Sequence, residues 1–189
     1  MKMRKYLPYL IGVSILAVIL AVYFSKSRPI TQRPPVVTSP AEKSTSISKE
    51  KIAPDFSLKT LKGNTINLSD FNGKVIIIDF WATSCPPCRA EIPHFIILYE
   101  KYRDEGFQML GVVLDEDKAS VEDFAKEYNI NYPLLIPDKK VLKDYGPIIY
   151  IPTTFVISSD GYIYKKYVGY QPESVFEEDL KTLLARERR

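Results

Sequence analysis

Cys85-Pro86-Pro87-Cys88 is the segment of this sequence best suited to chemistry. These are the only two cysteines in 189 residues, and they stand three positions apart. In the first turn of a helix, residues i and i+3 can meet disulfide geometry with little strain. A helix N-terminus also offers unpaired N–H groups and a partial positive charge, which stabilise a thiolate. Cys85, at the extreme end, is the candidate exposed nucleophile. Cys88, one turn in, is the candidate resolving thiol. Pro86 suits a first turn, where its missing N–H needs no partner. Two other chemistries compete for the pair. A structural disulfide across so short a loop stabilises little by chain entropy. Zinc needs about four ligands, and the single histidine, His94, reads as a surface helix residue. Redox exchange is favoured over both where a strand leads into a helix.

The surrounding sequence supplies that context. Val75–Trp81 is a run of strand formers, interrupted only by Asp79, of the kind found in a central buried strand. Residues 87–105 read as a helix with Cys88, Ile92, Ile96 and Tyr99 roughly on one face, and Pro93 is expected to kink it. Residues 108–114 form a second buried strand. Ser120 is expected to cap a helix reaching about Tyr128, followed by a strand over 132–136 and a short helix near 140–145. Residues 55–58 and 65–68 flank Lys62-Gly63-Asn64 as a short hairpin. Residues 154–158 and 162–167 flank Ser159-Asp160-Gly161 as a second one. Pro172 opens a closing helix to about Ala185. The pattern predicts an α/β fold, a central mixed sheet flanked by helices with an N-terminal β-hairpin.

Two carboxylates lie close to the cysteines in this scheme. Asp79 shares a strand face with Val75, Ile77 and Trp81, where burial would raise its pKa. Glu91 sits one turn past Cys88. The plainer readings are an Asp satisfied by hydrogen bonds and an ordinary solvated helix Glu. Asp115-Glu116-Asp117 reads as a solvated loop rather than a metal cluster, and no metal or diffusible cofactor is implied.

Residues 1–51 hold nine Lys/Arg against Glu42 and Glu50, whereas the remainder holds 17 basic against 21 acidic residues. The net charge of +3 is therefore a property of the N-terminal arm, and no basic stripe for a nucleic-acid backbone is present. Lys2, Arg4 and Lys5 precede an uncharged run whose residues 7–24 would span about 27 Å as a helix, close to the ~30 Å hydrocarbon core. Residues 1–24 read as an uncleaved signal anchor. A cleaved signal peptide is the competing reading, weakened by the lack of an A-x-A site. A short basic N-terminal tail kept inside would put the remainder outside a bacterial cytoplasmic membrane. Residues 25–51, rich in Pro, Ser, Thr and Lys, cannot bury enough apolar surface to fold and read as a flexible linker. Residues 52–189 read as the folded domain.

Three segments together resemble the TlpA/ResA group of thioredoxin-like proteins: Ala53-Pro54-Asp55-Phe56, Asp79-Phe80-Trp81-Ala82-Thr83-Ser84-Cys85-Pro86-Pro87-Cys88-Arg89-Ala90-Glu91-Ile92-Pro93, and Ile151-Pro152-Thr153-Thr154-Phe155. The resemblance implies a thioredoxin-like domain with an αβ insert at about residues 120–145. It implies a membrane-anchored thiol–disulfide oxidoreductase that reduces disulfides of extracytoplasmic proteins, apocytochromes c among them, and is itself reduced by a membrane electron donor. It assigns Asp79 as proton acceptor for the second cysteine and Glu91 as an active-site carboxylate. It also makes Pro152 a cis-proline facing the disulfide, with the Ile151 backbone and Trp81 contributing to substrate docking. The group usually has Trp immediately before the first cysteine, and Ser84 stands there instead. That removes an aromatic flank of the site and bears on partner choice.

Other readings use the same residues differently. A peroxiredoxin would need Thr three residues before its reactive cysteine, where this chain has Ala82. A copper chaperone of the Sco type expects wider cysteine spacing and a distant histidine, whereas His94 lies six residues after Cys88. A thiol oxidase differs only in redox direction.

Overall fold

A strand whose seven residues are all buried must lie inside a sheet covered on both faces, and Val75–Trp81 is such a strand. The structure, a computed structural model, describes residues 51–115 and 117–187. The expected anchor over residues 1–24, and all of the linker except Lys51, lie outside the described residues. Among the described residues, no helix is long and apolar enough to cross a membrane.

In chain order the elements are β1 (Ser57–Thr60), β2 (Thr65–Asn67), β3 (Val75–Trp81), α1 (Pro86–Tyr102), β4 (Phe107–Val113), α2 (Lys118–Glu127), β5 (Leu134–Ile136), α3 (Lys139–Asp144), β6 (Thr153–Ile157), β7 (Ile163–Val168) and α4 (Glu173–Glu187). The strands form one sheet in the order β2-β1-β5-β4-β3-β6-β7. β3, β4 and β5 run parallel, and the outer pairings are antiparallel. This is the thioredoxin-like mixed sheet that the motifs imply.

The period of two along β3 separates two cores. Val75, Ile77 and Trp81 pack with Phe95 and Leu98 of α1, Val121 and Phe124 of α2, and Phe176 and Leu180 of α4. Ile76, Ile78 and Phe80 pack on the other side with Leu58, Val141, Tyr145 and Phe155. Asp79 belongs by alternation to the first face, beneath α1. In the sheet it stands opposite Gly111 of β4 and Thr154 of β6.

Three local expectations shift. Asp117, not Ser120, is the N-cap of α2: its side chain accepts from the Ala119 N–H, and Ser120 Oγ donates back to it at 2.6 Å. A carboxylate with two acceptor oxygens serves both partners from one position. β5 begins at Leu134 rather than residue 132, since Pro133 has no N–H for the ladder. α1 ends at Tyr102 rather than residue 105, and Arg103–Glu105 form a short 3-10 turn before Gly106, which takes a left-handed φ of 95°.

Candidate active site

The turn from β3 into α1 places the two cysteines. Cys85 is the N-cap of α1, with Pro86 and Pro87 opening the first turn. Cys85 and Cys88 are joined by a disulfide with a Cα–Cα separation of 5.3 Å. The Cys88 N–H donates to Cys85 Sγ at 3.3 Å, so an otherwise orphaned helix donor already points at this sulfur. Cys85 keeps 8% exposure, whereas Cys88 is fully buried. Of the two residues, Cys85 is thus the one with surface left to solvent.

Both carboxylates singled out from the sequence are buried. Asp79 is 1% exposed, and its Oδ1 accepts from Thr154 Oγ1 at 3.1 Å. Burial pushes its pKa well above the ordinary carboxylate range, and the Glu91 charge adds to the rise, while the Thr154 bond opposes it. Glu91 is fully buried, so it is not a solvated helix residue. Its Oε1 accepts from the Gln171 N–H at 2.7 Å. Burial lifts its pKa to about 7, against the lowering effect of that hydrogen bond. Tyr132, also buried, feels the same pair electrostatically. Its phenol is held far above its ordinary pKa by burial first, then by the charges of Asp79 and Glu91.

The segment before β6 closes over the disulfide. The Ile151–Pro152 peptide is cis. Cys85 Sγ lies 3.7 Å from the Ile151 carbonyl oxygen. The Gly169 N–H donates to Pro152 O at 2.8 Å, which ties this loop to the end of β7. Ile149, Tyr150, Val168 and Tyr170 are exposed around it. Trp81 departs from its expected place among the docking residues. It is fully buried, with its ring 5.4 Å from that of Phe124. Phe124 in turn stacks on Tyr128 at 4.1 Å, and the Arg89 guanidinium covers both rings. Trp81 therefore supports the surface beside Cys88 from beneath, through residues of the insert, and presents no ring to a docked chain.

Several contributors were not singled out from the sequence. Thr154 and Gln171 reach the carboxylates across 75 and 80 residues of sequence. Gly111 did carry a signal, a glycine inside a strand pattern, which marks close backbone approach. A Cβ there would fall 2.7 Å from Leu134 Cδ2 and 2.9 Å from Trp81 Nε1. His94 is only half-exposed, with its ring against Tyr170, and is not the plain surface residue expected. Asp115 is not merely solvated. Its carboxylate accepts from both the N–H and the hydroxyl of Thr83. Among the described residues no group of three or more His, Cys, Asp or Glu is arranged to hold a metal ion.

Comparison with known proteins agrees with this geometry. The AhpC/TSA family model matches residues 50–166. The thiol-disulfide oxidoreductase ResA of Bacillus thuringiensis subsp. konkukian is 38% identical over 144 residues, covering 75% of this chain and 81% of that protein. The ResA of Bacillus subtilis is 33% identical over 133 residues, covering 70% and 74%. This chain belongs to the ResA thiol-disulfide oxidoreductases of the AhpC/TSA family. The crystal structure of a thiol:disulfide interchange protein from Chlorobium tepidum matches with a TM-score of 0.67 at 30% identity, covering 71% of this chain and 96% of that one. A ResA-type oxidoreductase works through a thioredoxin-like fold, and the sheet order and the helix-capping cysteine pair described above supply its parts.

Proposed function

We propose that this ResA-type protein is a membrane-anchored reductase of protein disulfides, acting outside the cytoplasm. The observation that carries the reading is the Cys85–Cys88 disulfide at the N-terminus of α1, with the cis Ile151–Pro152 loop closed against Cys85 Sγ. In the reduced protein the Cys85 thiolate attacks one sulfur of a substrate disulfide. The substrate S–S bond breaks, its leaving sulfur takes a proton, and a mixed disulfide forms. Cys88 then loses its proton to the buried pair Asp79 and Glu91 and attacks Cys85 Sγ. The second substrate thiol leaves, and the protein disulfide forms. Two electrons pass to the substrate, and a membrane thiol-reducing donor restores the dithiol.

The Ile151 backbone and Pro152 dock the substrate chain next to Cys85, by strand-like pairing of an extended segment. Trp81 holds the adjoining surface in place. Residues 1–24 anchor the chain in the bacterial cytoplasmic membrane, 25–51 tether it with a reach on the order of 30 Å, and 52–189 form the catalytic domain. Apocytochromes c, whose haem-attachment cysteines must be reduced, are the substrate class that the family resemblance brings.

The direction of electron flow is tested by the reduction potential of the Cys85–Cys88 couple. A reductase is expected to lie nearer to about −270 mV, as in thioredoxin. A value near −120 mV, that of a strong oxidant, contradicts the reading.

A further inference from the structure

The parallel pairing of β3 with β4 ends at Trp81 opposite Val113, and the Leu114 N–H still donates to Trp81 O at 2.9 Å. Beyond that point β3 gives way to the turn Ala82-Thr83-Ser84 that carries Cys85. Two residues further along each strand, a side chain takes over from the ladder. Asp115 Oδ2 accepts the Thr83 N–H at 2.8 Å, and Asp115 Oδ1 accepts the Thr83 hydroxyl at 2.6 Å. The turn then closes with the Cys85 N–H on Ala82 O at 3.2 Å. The neighbouring Asp117 is committed elsewhere, to the cap of α2. Asp115 is thus the side chain that holds the catalytic turn to the body of the sheet.

We propose that Asp115, acting through Thr83, is a positioning residue for Cys85: it keeps the turn in the conformation that leaves Cys85 at the N-cap of α1 with the Cys88 N–H on its sulfur. This rests on the reading of Cys85 as the attacking thiol. The physical logic is preorganisation. A charge-assisted, two-point hydrogen bond restricts the turn more than a neutral single one. A thiolate draws stabilisation from helix N-terminal donors only while it stays aligned with them. A loosened turn lowers that stabilisation, so the thiolate forms at higher pH. The carboxylate's own charge acts in the opposite sense, since a nearby anion disfavours a thiolate. The two effects therefore predict shifts of opposite sign.

The test is the pH profile of Cys85 alkylation by iodoacetamide in the reduced full chain, read by mass spectrometry, for wild type, Asp115→Ala, Asp115→Asn, Thr83→Val and Thr83→Ser. Positioning predicts that Asp115→Ala and Thr83→Val move the midpoint up by about half a pH unit, a roughly threefold loss of thiolate below the midpoint. Asp115→Asn, which keeps an acceptor, should shift less. Thr83→Ser, which keeps the hydroxyl and the N–H, should behave as wild type. A downward shift in both Asp115 variants with Thr83→Val unchanged would mean that Asp115 acts only as a charge, and would overturn the proposal. Unshifted profiles with lowered stability would reduce Asp115 to a structural role and overturn it equally. If wild-type labelling falls first on Cys88, the assignment of the attacking thiol fails, and this proposal falls with it.

Discussion

Glu91 occupies a position where an ionised carboxylate is costly. It stands on the stripe of α1 shared by Cys88, Phe95 and Leu98, all fully buried. One of its oxygens takes the Gln171 N–H, and its pKa is lifted from 4.5 to about 7. The folded protein thus holds this proton across a range in which an unfolded chain has released it. Protonated Glu91 favours the fold, in full below about pH 4.5, and this contribution is lost as pH rises through 7. Glu91→Gln keeps an acceptor for Gln171 and removes the charge. Relative to wild type, the oxidised variant should therefore gain about 1–3 kcal/mol of stability on going from pH 4 to pH 8. Denaturant titrations at the two pH values measure this, and a difference that does not change with pH would contradict the assignment. The burial of Glu91 was partly legible in its spacing, three after Cys88 and four before Phe95. Its hydrogen bond was not, because Gln171 lies 80 residues away.

At the scale of elements, the strand run Val75–Trp81 and the cysteine-bearing helix were legible because their signals are local: a run of buried strand formers and prolines at a helix start. What joins them was not. The pairing of β3 with β4 sets Gly111 beside Asp79, and leaves room for Trp81 and Leu134 over a position without a Cβ. Gly111→Ala would push a methyl within 2.7 Å of Leu134 and 2.9 Å of Trp81. Overpacking of this kind costs about 1–3 kcal/mol. The expected outcome is a lower denaturation midpoint with the disulfide retained. A midpoint equal to wild type would show that the Trp81 ring yields freely and does not brace the surface beside Cys88. The choice of Asp117 over Ser120 as the cap of α2 illustrates the limit of local reading: both residue types suit the role and stand three positions apart.

For the whole molecule, the fold brings to one place segments far apart in the chain: the cysteine turn, the Ile151–Pro152 loop, Gln171 after β7 and Asp115 after β4. The central claim is that this convergence makes Cys85 the sulfur that meets a substrate and Cys88 the one that resolves the product. Variants of the full chain test it directly. Cys88→Ser should accumulate a mixed disulfide with a disulfide-bonded protein substrate, attached through Cys85 and released by dithiothreitol. Cys85→Ser should accumulate none, because its remaining thiol is buried. Trapping through Cys88 instead, or equal trapping by both variants, would contradict the account.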